Sequence, residues 1–262
     1  MRKKFLFCTL ILLFFVFPAF SWQISSFQGE DSSVAEKNQI ILNLVFVSLS
    51  YQREDNFKKD ISSILARLKK TSPFREFKSL KVYLLDASPE ERTVLFKKSE
   101  SFPFLKVKNS LIQDIKSRIG GVYKLVLLNK QGDTSAAELS NIRNISLIIL
   151  GKSSYGGKNR LSKVFLHELG HSLGLREENP GSSQPIIPGE PNCASDKETA
   201  KKWWGDMVKG NSAIGYFEIY SAGRKFIKPT RRSIMNNPLK SSGYGPVNER
   251  YLRRELGIKE TD

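Results

Sequence analysis

Two histidines and a glutamate in the segment KVFLHELGHSLGLREE have the types and spacing of a metal-dependent hydrolase. His167 and His171 are four residues apart, so on a helix both imidazoles leave the same face and can bind one metal ion. Glu168 lies beside the first histidine, where its carboxylate can accept a proton from metal-bound water. These are the only 2 histidines among 262 residues, and both fall on the ligand positions. The pattern predicts one Zn²⁺ per chain.

A catalytic zinc needs three protein ligands and an open position for water. Because both histidines are used, the third ligand must be Asp, Glu, Tyr or Cys. Gly174 can adopt a left-handed conformation that ends the helix and turns the chain back towards the metal. Glu177 then occupies the last position of the extended pattern His-Glu-x-x-His-x-x-Gly-x-x-ligand and is the predicted third ligand, with Glu178 as the alternative. Weaker candidates for this position are Glu249, Asp206 and Cys193.

The motif must be positioned by the elements around it, and strands alternating with helices precede it. Apolar runs predict four buried strands, at 39–49, 79–87, 122–129 and 145–151. Helical spacing of apolar residues predicts helices at about 54–70 and 111–119, with a loop containing Pro89 and Pro103 between the second strand and the second helix. The motif helix is predicted over about 160–173. The expected fold is therefore α/β (α+β), a mixed twisted sheet packed on this helix.

The part of the chain after the motif has a different composition. Residues 179–195 are rich in Pro, Gly and Ser, and little regular structure is expected before a last helix that begins at Pro246. We therefore expect one domain over 38–262, divided into a sheet part with the motif helix at 38–175 and an irregular C-terminal part at 176–262.

The N-terminus has the pattern of an export signal. Arg2, Lys3 and Lys4 form a positive cap, and the apolar run over 5–17 is too short to span a bilayer comfortably. Ala19-Phe20-Ser21 fits a cleavage site. We expect a signal peptide over 1–21 and a polar linker or short propeptide over 22–37. The mature protein is then exported, either secreted or periplasmic, without stable membrane insertion.

The chain is strongly basic. Its formal net charge of +16 falls to +13 without residues 1–21, which carry three positive charges and no acidic ones. Such a surface attracts anionic partners, but no nucleic-acid recognition motif accompanies it and no nucleic-acid partner is expected. Cleavage leaves Cys193 unpaired, either as a buried structural thiol, which we expect, or as a site of intermolecular pairing. A group of basic residues would favour acidic substrates if it lined the cleft: Arg224, Lys225, Lys228, Arg231 and Arg232.

The block YGGKNRLSKVFLHELGHSLGLREE resembles the IgA-peptidase-type secreted zinc metallopeptidases, a zincin family related in layout to the metzincins. Segments from residue 39 resemble its opening strand and helix, and those at 203–220, 231–237 and 244–252 resemble its downstream segments. The resemblance implies zinc, endopeptidase activity and a zincin-like mixed sheet above an active-site helix. It also implies that Met235 lies in a methionine turn beneath the metal, where its role is packing.

The chain departs from that family pattern in two places. Residues 47–51 (VSLSY) stand where members usually carry Gly-Asp-Gly-Tyr. In addition, members usually have an Asp-Glu pair after the motif, and this chain has one residue fewer between the motif and the corresponding Glu177-Glu178. The expected function is a secreted zinc endopeptidase that acts on proteins or peptides, with Glu168 as general base. Two alternatives stay open: a zincin-fold secreted binding protein without activity, and a zinc amidase that acts on cell-wall peptides.

Two further features of such a peptidase have candidates in the sequence. An oxyanion helper beside the metal is expected from a tyrosine, and the candidates are Tyr216, Tyr220 and Tyr244. A substrate can add as an extended strand along a free sheet edge. The strand at 145–151, just before the motif helix, is the predicted edge.

Overall fold

The computed structural model describes residues 22–27, 40–98, 105–119, 123–141, 143–157, 159–179 and 186–259. The predicted signal peptide, most of the predicted linker and Pro103 lie outside these residues. In the part of the chain that is described, no helix has the length and apolar character needed to cross a membrane.

The described residues form ten strands and six α-helices. The strands are β1 (Gln23–Ser26), β2 (Leu42–Ser48), β3 (Leu80–Asp86), β4 (Phe96–Lys98), β5 (Leu105–Val107), β6 (Tyr123–Leu128), β7 (Ala136–Ala137), β8 (Ser146–Leu150), β9 (Phe217–Ser221) and β10 (Arg224–Lys228). The helices are α1 (Glu54–Leu68), α2 (Pro89–Leu95), α3 (Asn109–Ile119), α4 (Arg160–Ser172), α5 (Lys197–Val208) and α6 (Pro246–Leu256).

The main sheet has six strands in the order β1-β3-β2-β6-β8-β7. The four inner strands are parallel, and they are the four strands predicted from the apolar runs. An antiparallel strand lies at each edge, so the sheet is mixed. Every residue of β2, β6 and β8 is buried, because helices cover both faces of a parallel sheet.

Each face of the main sheet packs into its own apolar cluster. Successive residues of β2 alternate between the two clusters, as the two-residue period of a strand requires. On one face the sheet packs against α1, α4 and α6, and on the other face against α2 and α3. The motif helix α4 is thus part of the core, which fixes the position of every side chain that it carries.

The edges of the sheet differ from the sequence prediction. The strand at 145–151 is not an edge, since β8 pairs with β6 on one side and with β7 on the other. The edge beside it is β7, whose two alanines have no apolar pattern that could predict a strand. At the opposite edge, β1 lies within the predicted linker. It pairs with β3, and Trp22 and Ile24 pack against the core, so its stability comes from a neighbouring strand rather than from its own polar sequence.

Regular structure is also present in two places where little was expected. Helix α2 occupies the predicted loop after β3 and begins with a capping box, in which Ser88 accepts from the backbone N–H of Glu91 and the Glu91 carboxylate accepts from that of Ser88. In the C-terminal part, α5 begins at the N-cap Asp196. The hairpin β9–β10 turns at Ala222 and Gly223, which both have positive φ. The expectation of an irregular segment there is therefore wrong.

Candidate metal centre

Helix α4 presents one face to the core and another to the candidate site. Phe165, Leu166 and Leu169 are fully buried against the sheet and α1. Met235 and Tyr244 approach the helix closely at Gly170. A Cβ added there would lie 2.5 Å from Met235 Sδ and 3.1 Å from Tyr244 Cε1. Glycine therefore allows the segment around Met235 to pack directly beneath the helix.

Side-chain atoms of three residues that are predicted to bind a metal converge on one point. We call His167, His171 and Glu177 the metal-binding group, after this predicted role. His167 Nε2 lies 3.2 Å from His171 Nε2 and 3.3 Å from Glu177 Oε2, and His171 Nε2 lies 3.6 Å from the same oxygen. Around a tetrahedral zinc with ligand bonds of about 2.0–2.2 Å, neighbouring ligand atoms lie about 3.3–3.6 Å apart. These three residues could hold a metal ion, and no other group of three His, Cys, Asp or Glu among the described residues has this arrangement. The donor set therefore fits zinc.

Backbone carbonyls orient both imidazole rings. His167 Nδ1 donates to the carbonyl oxygen of Ile234, and His171 Nδ1 donates to that of Leu175, each at 2.9 Å. A carbonyl oxygen can only accept, so both protons are on Nδ1 and both Nε2 lone pairs face the shared point. Two lone pairs and a carboxylate oxygen at this separation need a proton or a cation between them.

The close approach of these side chains also shifts the pKa values of His167 and Glu177 when no metal is bound. Burial alone would lower the pKa of His167, but its hydrogen bond to Glu177 and the negative charges of Glu168 and Glu177 raise it to about 9. Burial would raise the pKa of Glu177, but hydrogen bonds from the two histidines lower it to about 2. Without metal, His167 and the Glu177 carboxylate therefore stabilise each other's charged forms.

Glu168 lies beside this group and is itself almost fully buried. Burial raises the pKa of its carboxyl group, while the neighbouring histidines and a hydrogen bond from the backbone N–H of Ala137 oppose that shift. Ala137 belongs to the edge strand β7, so the carboxylate lies between the metal-binding group and the sheet edge. A buried carboxylate beside this group is a candidate general base.

Glu178, the alternative third ligand, faces a different part of the molecule. Its carboxylate accepts hydrogen bonds from three buried side chains: Asn192 Nδ2 at 2.7 Å, Asn248 Nδ2 at 2.9 Å and Ser233 Oγ at 2.6 Å. Lys228 Nζ donates to the Glu178 carbonyl oxygen at 3.4 Å and to Asn236 Oδ1 at 2.5 Å. Burial raises the pKa of Glu178, against the effect of these donors and of the lysine.

The remaining candidates for the third ligand lie outside the metal-binding group. Asp206 forms an ion pair with Arg250. Cys193 is buried and unpaired as expected, and burial raises its pKa to about 12, which keeps it a thiol. Glu249 lies on α6 and is not part of the group.

The three candidate oxyanion helpers also have other partners. Tyr244 is fully buried beneath α4 and donates to the carbonyl oxygen of Leu166 at 2.5 Å, so its hydroxyl group is not at the cleft. Tyr220 is exposed on the hairpin and donates to Glu218 at 3.2 Å. Tyr216 stacks on Trp204. The structure gives none of these hydroxyl groups a contact with the metal-binding group.

Several groups that shape the site could not be identified from the sequence. The carbonyls of Ile234 and Leu175 and the N–H of Ala137 are backbone atoms, which every residue type carries. Lys124 is different, because a lysine within an apolar strand is a signal that the sequence itself carries. Its buried Nζ donates to the carbonyl oxygens of Asn141 and Asn144, each at 2.7 Å, and so holds the loop between β7 and β8. Burial lowers its pKa to about 7.

Comparison with known proteins adds little to this geometry. No family model and no curated protein matches the chain. Among solved structures, it is similar to high choriolytic enzyme 1, a hatching enzyme zinc-protease from Oryzias latipes (Medaka fish). The identity is 12%, the TM-score is 0.34, and the match covers 90% of this chain and 100% of that chain. A similarity this distant does not assign a family, so the resemblance to IgA-peptidase-type enzymes stays a prediction.

Proposed function

We propose that the protein is an exported zinc-dependent endopeptidase in which His167, His171 and Glu177 bind the metal and Glu168 is the general base. The spacing of the three ligand atoms supports this proposal most strongly, because it matches the edges of a zinc tetrahedron. The orientation of both Nε2 atoms by backbone carbonyls is a second support, since catalytic metal sites need ligands that are held in advance.

The chemistry divides between the metal and the carboxylate. A bound zinc supplies a Lewis acid that makes a water acidic at neutral pH and polarises the peptide carbonyl. Glu168 accepts the proton of the attacking water and later donates it to the nitrogen of the leaving amine. The position of Glu168, buried beside the predicted ligands, supports both roles.

The substrate binds in an extended conformation beside β7. This short strand is the sheet edge that contacts Glu168, and an edge strand can pair with an added strand. The prediction of an edge-bound peptide is kept, with β7 in place of the strand at 145–151.

Export is part of the proposal and rests on the N-terminal sequence. Cleavage after Ser21 would leave β1 complete, since its first residue is Gln23. The mature chain would therefore keep all six strands of the main sheet.

Metal removal tests the proposed function directly. Chain 22–262 purified with zinc is expected to hydrolyse an unfolded protein substrate, to lose that activity on dialysis against a chelator, and to regain it with one equivalent of zinc. Circular dichroism before and after dialysis controls for unfolding. Hydrolysis that survives complete removal of the metal would contradict the proposal. Zinc retention without hydrolysis of any protein would favour the inactive binding protein, and hydrolysis of cell-wall peptides alone would favour the amidase.

A further inference from the structure

A cavity of about 620 Å³ opens against the segment that follows Glu178. Its wall is formed by the residue after Glu177-Glu178, by the hairpin β9–β10 and by the turn after Met235. The lining residues are Asn179, Tyr216, Phe217, Glu218, Ile219, Lys228, Arg231, Asn236 and Asn237. Asn179 connects it to the site, because its backbone N–H donates to Glu177 Oε1 at 2.8 Å. We call this space the basic cavity.

The charges that line the basic cavity are mainly positive. Lys228 is buried at one side of it, and the exposed Arg231 places its guanidinium carbon 4.8 Å from the centre of the Phe217 ring. The one lining carboxylate, Glu218, forms an ion pair with Lys225 at 3.1 Å. A group that enters the cavity therefore meets the positive charge of Arg231, whereas Lys228 already faces the carboxylates of Glu178 and Glu177.

The neutral lining groups also suit an anion. Asn236 Oδ1 accepts from Lys228, which directs the Nδ2 donor of the same amide away from the lysine. Phe217 and Ile219 add apolar surface to the lining. A carboxylate can accept two parallel hydrogen bonds from an arginine, which adds direction to the attraction.

We propose that the basic cavity binds a carboxylate of the substrate close to the scissile bond, so that the enzyme prefers acidic peptides. This inference rests on the proposed function, because it takes the metal-binding group as the reaction centre. The carboxylate belongs either to an Asp or Glu side chain or to the C-terminus of the peptide. Both sources have the same chemistry, and they are separated by the peptides used in the test.

Arg231 is the residue whose removal tests the inference. Lys228 is unsuitable, since it also contacts the backbone of Glu178 and its loss would disturb the buried network. The contact described for Arg231 is with the Phe217 ring, on the surface of the hairpin. Arg231→Gln therefore removes one charge with little effect on the fold. Arg232→Gln is the matched control, because Arg232 is also exposed, is adjacent in the chain and does not line the cavity.

Peptide binding is measured by fluorescence anisotropy with zinc-loaded Glu168→Gln chain, which binds substrate without turnover. The peptides differ only in Asp, Asn or Lys at one position, and each is made with a free and an amidated C-terminus. We expect binding about tenfold tighter for Asp than for Asn, a ratio near one after Arg231→Gln, and the full ratio after Arg232→Gln. Tighter binding of every free C-terminus, with no effect of Asp, would identify the terminal carboxylate as the group bound.

Equal affinity for all these peptides would overturn the inference, and so would a preference that Arg231→Gln leaves unchanged. The same peptides, tested for cleavage by the unsubstituted enzyme, separate this failure from failure of the proposed function. Cleavage of acidic and neutral peptides with equal kcat/KM would refute the carboxylate site alone. Preferential binding of acidic peptides with no cleavage of any of them would refute the peptidase and retain the carboxylate site.

Discussion

Glu168→Gln is expected to lower kcat/KM for peptide hydrolysis by a factor of about 10²–10⁴, the usual contribution of a general acid–base group, and to leave zinc bound. Glutamine has the same size as glutamate and keeps an oxygen that can accept from the N–H of Ala137, so the fold is preserved. It cannot accept a proton from water. The rate should therefore fall while KM for the peptide changes little.

Steady-state kinetics and the zinc content of the purified variant test this expectation together. Glu198→Gln is a suitable control, because Glu198 is an exposed residue of α5 that forms an ion pair with Lys201 at 2.8 Å. It makes the same chemical change on the surface and should leave kcat/KM unaltered. A Glu168→Gln enzyme with the activity of the unsubstituted one would exclude Glu168 as the base, whatever the metal content.

Replacing Glu177 and Glu178 by alanine should give opposite phenotypes, although the two residues are neighbours. Glu178→Ala leaves three buried donors, on Asn192, Asn248 and Ser233, without their acceptor and removes a negative charge near Lys228. Leaving a buried donor without its acceptor typically lowers the free energy of unfolding by about 1–3 kcal/mol, and three donors are affected here. Glu177→Ala should lower it much less and should weaken zinc binding instead.

Urea unfolding of the metal-free variants gives the stabilities, and competition with a chromophoric chelator gives the zinc affinities. Because Glu178→Ala could fail to fold, Glu178→Gln serves as a milder variant that keeps the side-chain volume and one acceptor oxygen. It should be destabilised, yet bind zinc as tightly as the unsubstituted chain. Loss of zinc affinity in Glu178→Gln, with full affinity in Glu177→Ala, would reverse the ligand assignment.

The positions of His167, Glu168 and His171 could be predicted because the helical period alone places the two histidines on one face. The choice between Glu177 and Glu178 could not be made by that rule, since it concerns the segment after the helix ends. There the structure directs Glu177 towards the histidines and Glu178 into a network formed with Asn192, Ser233 and Asn248. Those three partners are distant in sequence, so only the folded chain reveals them.

The strands of the main sheet could likewise be predicted only where a local sequence pattern reports them. Long apolar runs predict β2, β6 and β8 because burial on both faces leaves a continuous pattern, and a similar run predicts the partly exposed β3. The edge strand β7 contains two alanines and exists through pairing with β8, which no local pattern reports. The five basic residues at 224–232 were visible in the sequence, but pairing of the hairpin decides that Lys228 and Arg231 line the basic cavity. The capping box of Ser88 and Glu91 was readable and would have identified α2.

The central claim is that His167, His171 and Glu177 bind one zinc ion, and X-ray absorption at the zinc edge of chain 22–262 tests it most directly. We expect about one zinc per chain after dialysis, coordinated by two imidazole nitrogens at about 2.0–2.1 Å and by oxygen, with no sulfur ligand. Loss of one imidazole from the spectrum of His171→Ala would support the assignment. A chain that retains no zinc, or a spectrum with a sulfur ligand at about 2.3 Å, would contradict it.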